Sequence, residues 1–161
     1  SGIVIFAKNE YVQERMIQSK TMKKEYLAII TGTMDQKVGT INLPIARKDG
    51  SIMEREVNSN GQEAITHYDV IAESPDKSLS LVHIILETGR THQIRVHFAY
   101  FKKYILGDTL YGIETNIINR QSLHAWRLSF LHPITNDKIY IEAPLFDDMK
   151  KVIEDYKLKY D

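Results

Sequence analysis

Gly89-Arg90-Thr91-His92-Gln93-Ile94-Arg95-Val96-His97 decides how this chain is read, because two periodicities meet in it. Ahead of it, Leu79 to Glu87 is apolar on both faces, the pattern of a central strand covered on two sides. Behind it, Ile94, Phe98 and Phe101 recur at helical spacing, and Thr91 stands where a helix cap belongs. The segment reads as a strand-to-helix junction. Such a junction offers free backbone N–H groups and the positive end of a helix dipole, which suits anions. Arg95 falls in the first turn, where a cation is disfavoured unless an anionic partner compensates. A surface salt bridge would meet that need, but the density of donors favours a binding site.

The flanking sequence supplies the remaining elements. Lys24 to Thr33 reads as a strand with Tyr26, Ala28 and Ile30 on one side and Leu27 and Ile29 on the other. Ile3 to Ala7 has the composition of a buried strand, and Asn9 caps a helix to about Lys20 with Tyr11, Val12 and Met16 inward. Thr40 to Leu43 is a short strand ending at Pro44, and Lys48-Asp49-Gly50-Ser51 is a turn. Gln62 to Glu73 alternates, with Ala64, Thr66, Tyr68 and Val70 on one face. His124 to Phe130 and Lys138 to Ala143 form a hairpin, and Phe146 to Tyr160 is an amphipathic helix on Met149, Val152, Ile153 and Tyr156. Consecutive strands with few helices predict the α+β class. The expected architecture is a largely antiparallel mixed sheet flanked by helices, one domain over residues 1–161.

Composition narrows the chemistry. The chain has 161 residues, 43% of them hydrophobic, and its 21 basic residues balance 21 acidic ones, which excludes a disordered polyelectrolyte. Without cysteine there are no disulfides, thiolate nucleophiles or cysteine-ligated zinc. Ile3 to Ala7 is too short to span a bilayer and no basic stretch precedes it, so no leader and no membrane association is expected. A cytoplasmic location is expected. No P-loop, dinucleotide-binding glycine motif or serine elbow occurs. His92 and His97 are five apart and fall on different helix faces, so no metal site is expected; His67 and His83 lie within strands and read as core residues or cross-strand partners. Three cationic groups stand out: Lys20, Lys23 and Lys24; Arg47 and Lys48; and Arg90 through Lys103. By charge alone they are separate solvated patches, and they become one basic cleft only if the fold joins them.

Gly89 to His97 strongly resembles the signature of the RluA-type RNA pseudouridine synthases. Further pieces match in that family's order: Lys24-Glu25-Tyr26-Leu27-Ala28, Ile105 to Gly112, Leu123 to Leu128, and Glu142 to Leu145. The opening Ser1 to Asn9 is similar to the end of the family's His-Arg-Leu-Asp-x-x-Thr-Ser-Gly motif and the apolar strand after it. The resemblance implies the fold of those synthases and isomerisation of uridine to pseudouridine in structured ribosomal or transfer RNA. It implies neither a metal nor an organic cofactor and no obligate protein partner. The target base must leave its helix, so the pocket receives a flipped nucleotide.

The same resemblance assigns roles. Arg95 matches the arginine that pairs with the nucleophilic aspartate, and Tyr26 matches the active-site tyrosine that stacks on the flipped uracil. Lys24, Arg90, Thr91, His92 and Ile94 are the expected RNA and base contacts. The nucleophilic aspartate aligns four residues ahead of Ser1, outside these residues, and Asp108 and Asp69 align elsewhere. These residues alone are therefore expected to be inactive, with Arg95 seeking solvent, a polar neighbour or an anion, and with Arg95 and Tyr26 lining one cleft beside Ser1. A non-catalytic RNA-binding module on the same fold is the alternative, and a partner-binding structural domain a third reading.

Overall fold

The computed structural model describes residues 1–160. In chain order the elements are α1 (Glu10–Ser19), β1 (Lys23–Thr31), β2 (Val38–Asn42), β3 (Ile45–Arg47), β4 (Arg55–Val57), β5 (Ile65–Glu73), β6 (Leu79–Leu86), α2 (Gln93–Tyr100), β7 (Leu123–Leu131), β8 (Lys138–Glu142) and α3 (Asp147–Asp155). Six strands form one sheet in the order β2-β5-β6-β1-β7-β8, and β3 and β4 form a separate hairpin. Every ladder is antiparallel, and the parallel contribution is the Gly2–Ala125 bridge. The α+β class and the sheet flanked by helices are as the sequence pattern implies.

Strand alternation sorts the core into two layers. Ala28 and Ile30 of β1 join Tyr68, Val82, Ile84, Ile94 and Phe98 on the α2 face, with Tyr26 packed against them. Leu27 and Ile29 join Leu81, Met149 and Val152 on the α3 face. The central position of β1 and β6 puts both faces of each out of water, which is why their sequences are apolar on both sides. No helix among the described residues is long and apolar enough to cross a membrane.

Several local expectations change. Ile3 to Ala7 forms no strand; Val4 and Phe6 are exposed, and only Gly2 bridges to Ala125. The reason is edge occupancy. β7 is paired with β1 on one side and, from Arg127 onward, with β8 on the other, leaving the opening residues room only along Leu123 to Ala125. Asn9 does cap α1, its Oδ1 accepting from the Val12 N–H at 2.9 Å, but Tyr11 points to solvent. The helix after β6 ends at Tyr100, so Phe101 is 43% exposed instead of facing inward. The C-terminal helix stops at Asp155, with Met149 and Val152 buried as its stripe requires.

Candidate active site

β1 carries Tyr26 on the α2 face, where its register partners are Ile84 of β6 and Ala125 of β7. Ala125 is also the residue bridged by Gly2, so the tyrosine lies one strand away from the opening of the chain. Burial pushes the Tyr26 phenol pKa up. Its hydroxyl has no hydrogen-bond partner among the described residues, yet no buried side-chain polar atom is left unpaired. The hydroxyl therefore reaches solvent while the ring packs on the core.

α2 begins with Gln93, and its cap differs from the expected one. His92, not Thr91, occupies the cap position, in a left-handed conformation at φ 57°, while Thr91 is exposed. The Gln93 side chain does the tying instead. Its Oε1 accepts from the Arg90 N–H at 2.9 Å and the Thr88 hydroxyl at 2.8 Å, and its amide donates to Ile65 O and Thr66. A buried glutamine with every polar atom used fixes the loop that precedes the helix. Ile94 is buried in the same core layer against which Tyr26 packs.

Arg95 finds its anionic partner within the chain. Its Nε and Nη2 donate to the two carboxylate oxygens of Asp108 at 2.7 and 2.9 Å, a bidentate pair, and its guanidinium lies 5.0 Å from the Tyr111 ring centre. Of the expected partners, solvent, a polar neighbour or an anion, Arg95 takes a neighbouring side chain. Asp108 is 1% exposed and also accepts from the backbone N–H groups of Leu110 and Tyr111. Burial alone would raise its pKa; Arg95 and those two N–H groups outweigh it and hold the carboxyl below the usual range. The loop that delivers Asp108 turns at Gly107, where φ is +80° and a side chain would run into the Arg120 carbonyl.

A polar network extends from this pair. The Tyr111 hydroxyl accepts from the Arg55 N–H at 2.9 Å and sits 2.8 Å from His92 Nδ1. Burial, then Arg95 and Arg55, lower the His92 pKa, which favours a neutral ring accepting the Tyr111 proton. Arg90 donates from Nε to Glu63 O at 2.8 Å, and the Lys24 side chain approaches Gly89. Two of the three cationic groups thus meet at the start of α2, as do Arg47 and Arg90 across a neighbouring cleft. Tyr26 and Arg95 share the α2 side of the sheet with no hydrogen bond or ring contact between them. Asp108, Tyr111 and Arg55 were not singled out by their chemistry in the sequence, although Gly107-Asp108 followed by Tyr111 is the signal of a turn closed by an aspartate.

His97 has a different task. It is fully buried, its Nδ1 2.8 Å from the Thr66 hydroxyl and its Nε2 2.8 Å from Leu43 O. A proton on Nε2 donates to the carbonyl, so Nδ1 accepts and the ring is neutral. Burial lowers its pKa. The unfolded state therefore takes up protons that the folded state refuses, and stability present above pH ~6.5 is lost as the pH falls below it. The melting temperature should fall between pH 7.5 and 5.5, and less so in His97→Gln; an equal fall in both proteins would remove His97 from the explanation.

Comparison with known proteins agrees with this architecture. Residues 1–100 match the family model described as RNA pseudouridylate synthase. The chain is 43% identical over 159 residues to the uncharacterized RNA pseudouridine synthase YhcT of Bacillus subtilis (strain 168), covering 97% of this chain and 53% of that protein. It is 36% identical over 179 residues to the ribosomal large subunit pseudouridine synthase D of Vibrio cholerae, covering 98% and 54%. The chain spans about half the length of the curated relatives it matches. Among solved structures, human RNA Pseudouridylate Synthase Domain Containing 1 superposes with a TM-score of 0.72 at 21% identity, covering 96% of this chain and 74% of that one, which shows the shared fold.

Proposed function

The chain belongs to the RNA pseudouridylate synthase family, and on that premise we propose that the protein carrying it isomerises specific uridines of ribosomal or transfer RNA to pseudouridine in the cytoplasm, as an RluA-type enzyme. The observation that carries this reading is the match of residues 1–100 to the family model, over a span that includes Tyr26 and the junction leading into Arg95. In the proposed reaction the N1–C1′ bond of uridine breaks, the uracil turns, and a C5–C1′ bond forms; C5 loses its proton and N1 gains one. Tyr26 stacks on the flipped uracil. Its hydroxyl, kept protonated by burial and open to solvent, takes the C5 proton only by passing its own on, so it serves as a relay. Lys24, Arg90, Thr91 and His92 hold RNA around the start of α2, and Ile94 supports the pocket from below.

The nucleophile in this reading is an aspartate of a His-Arg-Leu-Asp motif, which these 161 residues do not contain. Asp108 is a poor substitute on physical grounds. Its carboxylate already accepts four hydrogen bonds, three of them on Oδ1, and is shut away from solvent by the Arg95 guanidinium and its own loop, so it is not presented to a sugar carbon. Arg95 pairs with that nucleophile in this reading, its Nη1 left unspent by Asp108, and the Asp108 pair holds the guanidinium in place beside the pocket. The test follows C5 chemistry: the whole protein should release tritium from RNA carrying 5-tritiated uridine, and these 161 residues alone should release none. No release by the whole protein would refute the synthase reading, and release by the 161 residues would refute the assignment of the nucleophile.

A further inference from the structure

Two histidines are fully buried, and the one on β7 joins three segments that lie far apart in sequence. His124 Nε2 lies 3.0 Å from the carbonyl of Ala143, between β8 and α3, and its Nδ1 lies 2.9 Å from the Ser1 hydroxyl. A carbonyl only accepts, so Nε2 carries the ring proton and Nδ1 accepts from Ser1. The Leu123 carbonyl, 3.5 Å from the same hydroxyl, is the weaker competitor. Phe146 packs on the imidazole with its ring centre 5.7 Å away. Both nitrogens are spent inside the protein, which leaves the ring nothing to offer a substrate. A site that needed packing alone would be filled by an apolar side chain at no polar cost.

The backbone repeats the tie. Ser1 N donates to Leu123 O at 3.0 Å, the Ala125 N–H donates to Ser1 O at 2.9 Å, and the Ile3 N–H donates to Ala125 O at 3.0 Å. Gly2, at φ +99°, passes so close to β7 that a side chain would run into the Ala125 carbonyl. Beyond Ile3 the attachment ends, and Val4 and Phe6 are exposed. The pairing is parallel, so it has a direction: chain ahead of Ser1 is sent back alongside Ser122 and Gln121. Ser122 in turn donates from its N–H and its hydroxyl to Leu106 O, at 2.8 and 2.9 Å. Leu106 opens the turn that delivers Asp108 to Arg95.

Resting on the synthase reading above, we infer that His124 is a positioning residue. Through the Ser1 hydroxyl it fixes the segment that carries the nucleophile against β7, and so sets where the aspartate stands relative to the sugar carbon and Arg95. The experiment measures single-turnover tritium release by the whole protein from RNA carrying 5-tritiated uridine, with RNA affinity and melting temperature alongside. Ser1→Ala should lower the rate by about 10- to 100-fold at nearly unchanged affinity, since a misplacement of ~1 Å at a reacting centre costs on the order of 10². Ser1→Thr keeps the hydroxyl and should recover most of the rate. His124→Asn keeps an acceptor near the Nδ1 position and should stay close to the parent in rate. His124→Gln keeps only the donor toward Ala143 and should fall as far as Ser1→Ala. The two losses should not multiply: Ser1→Ala with His124→Gln should be no slower than either alone. Val152→Ala, in the α3 layer, should lower the melting temperature and leave the rate unchanged. A parent-like rate in Ser1→Ala, a loss confined to RNA affinity, or losses that multiply in the double variant would overturn the positioning role. So would a rate that falls with the melting temperature in Val152→Ala, because stability would then explain the loss. No release by the unsubstituted protein would refute the synthase reading and the proposal with it.

Discussion

Asp108→Asn should lower the melting temperature by roughly 6–20 °C. The substitution keeps the shape of the side chain and removes its charge, leaving the Arg95 guanidinium, 14% exposed, without its carboxylate. Removing one partner of a buried ion pair costs about 3–5 kcal/mol, because the other charge stays buried and unpaired. In a domain of this size each kcal/mol corresponds to about 2–4 °C. The loop turning at Gly107 should loosen as well, since Asp108 also closes it through the N–H groups of Leu110 and Tyr111. Replacing both partners at once, Arg95→Met with Asp108→Leu, should recover part of the loss. A melting point within ~2 °C of the parent for Asp108→Asn would show that solvent screens the pair and that it does not hold the loop.

Tyr26→Phe in the whole protein should cut tritium release by about 100-fold or more while RNA binding changes little. The ring keeps its place on the α2 face, and the stacking it offers a base is retained. Only the hydroxyl goes, and loss of a group that moves a proton in the transition state typically costs about 10²–10⁴ in rate. Tyr26→Ala should damage both binding and turnover. If both variants turn over like the parent, the tyrosine is a strand aromatic whose only work is packing.

How much of this was legible in the sequence depended on the range of the interactions. Faces of β1 and β5 were readable because alternation is a local signal: Tyr26, Ala28 and Ile30, and Thr66, Tyr68 and Val70, all reach the layer they indicate. The stripe of α3 was readable for the same reason. Ile3 to Ala7 misled because composition cannot report whether a sheet edge is free. Thr91 misled because Gln93, a longer side chain two residues on, satisfied the loop first. The β3–β4 hairpin escaped notice apart from its turn, since strands of three residues are too short to show a period. Arg95 announced its need for an anion through its place in the helix, but Asp108 lies in a distant loop that no periodicity connects to it. The site was thus visible as a cationic junction and a resemblance, while its internal wiring had to come from the fold.

The central claim is that the protein carrying this chain makes pseudouridine in RNA. The most direct measurement maps pseudouridine across ribosomal and transfer RNA from cells with and without the gene. One or a few sites should disappear in its absence and return when the parent protein is supplied, but not when Tyr26→Phe is supplied at the same level. A map unchanged by loss of the gene would contradict the account.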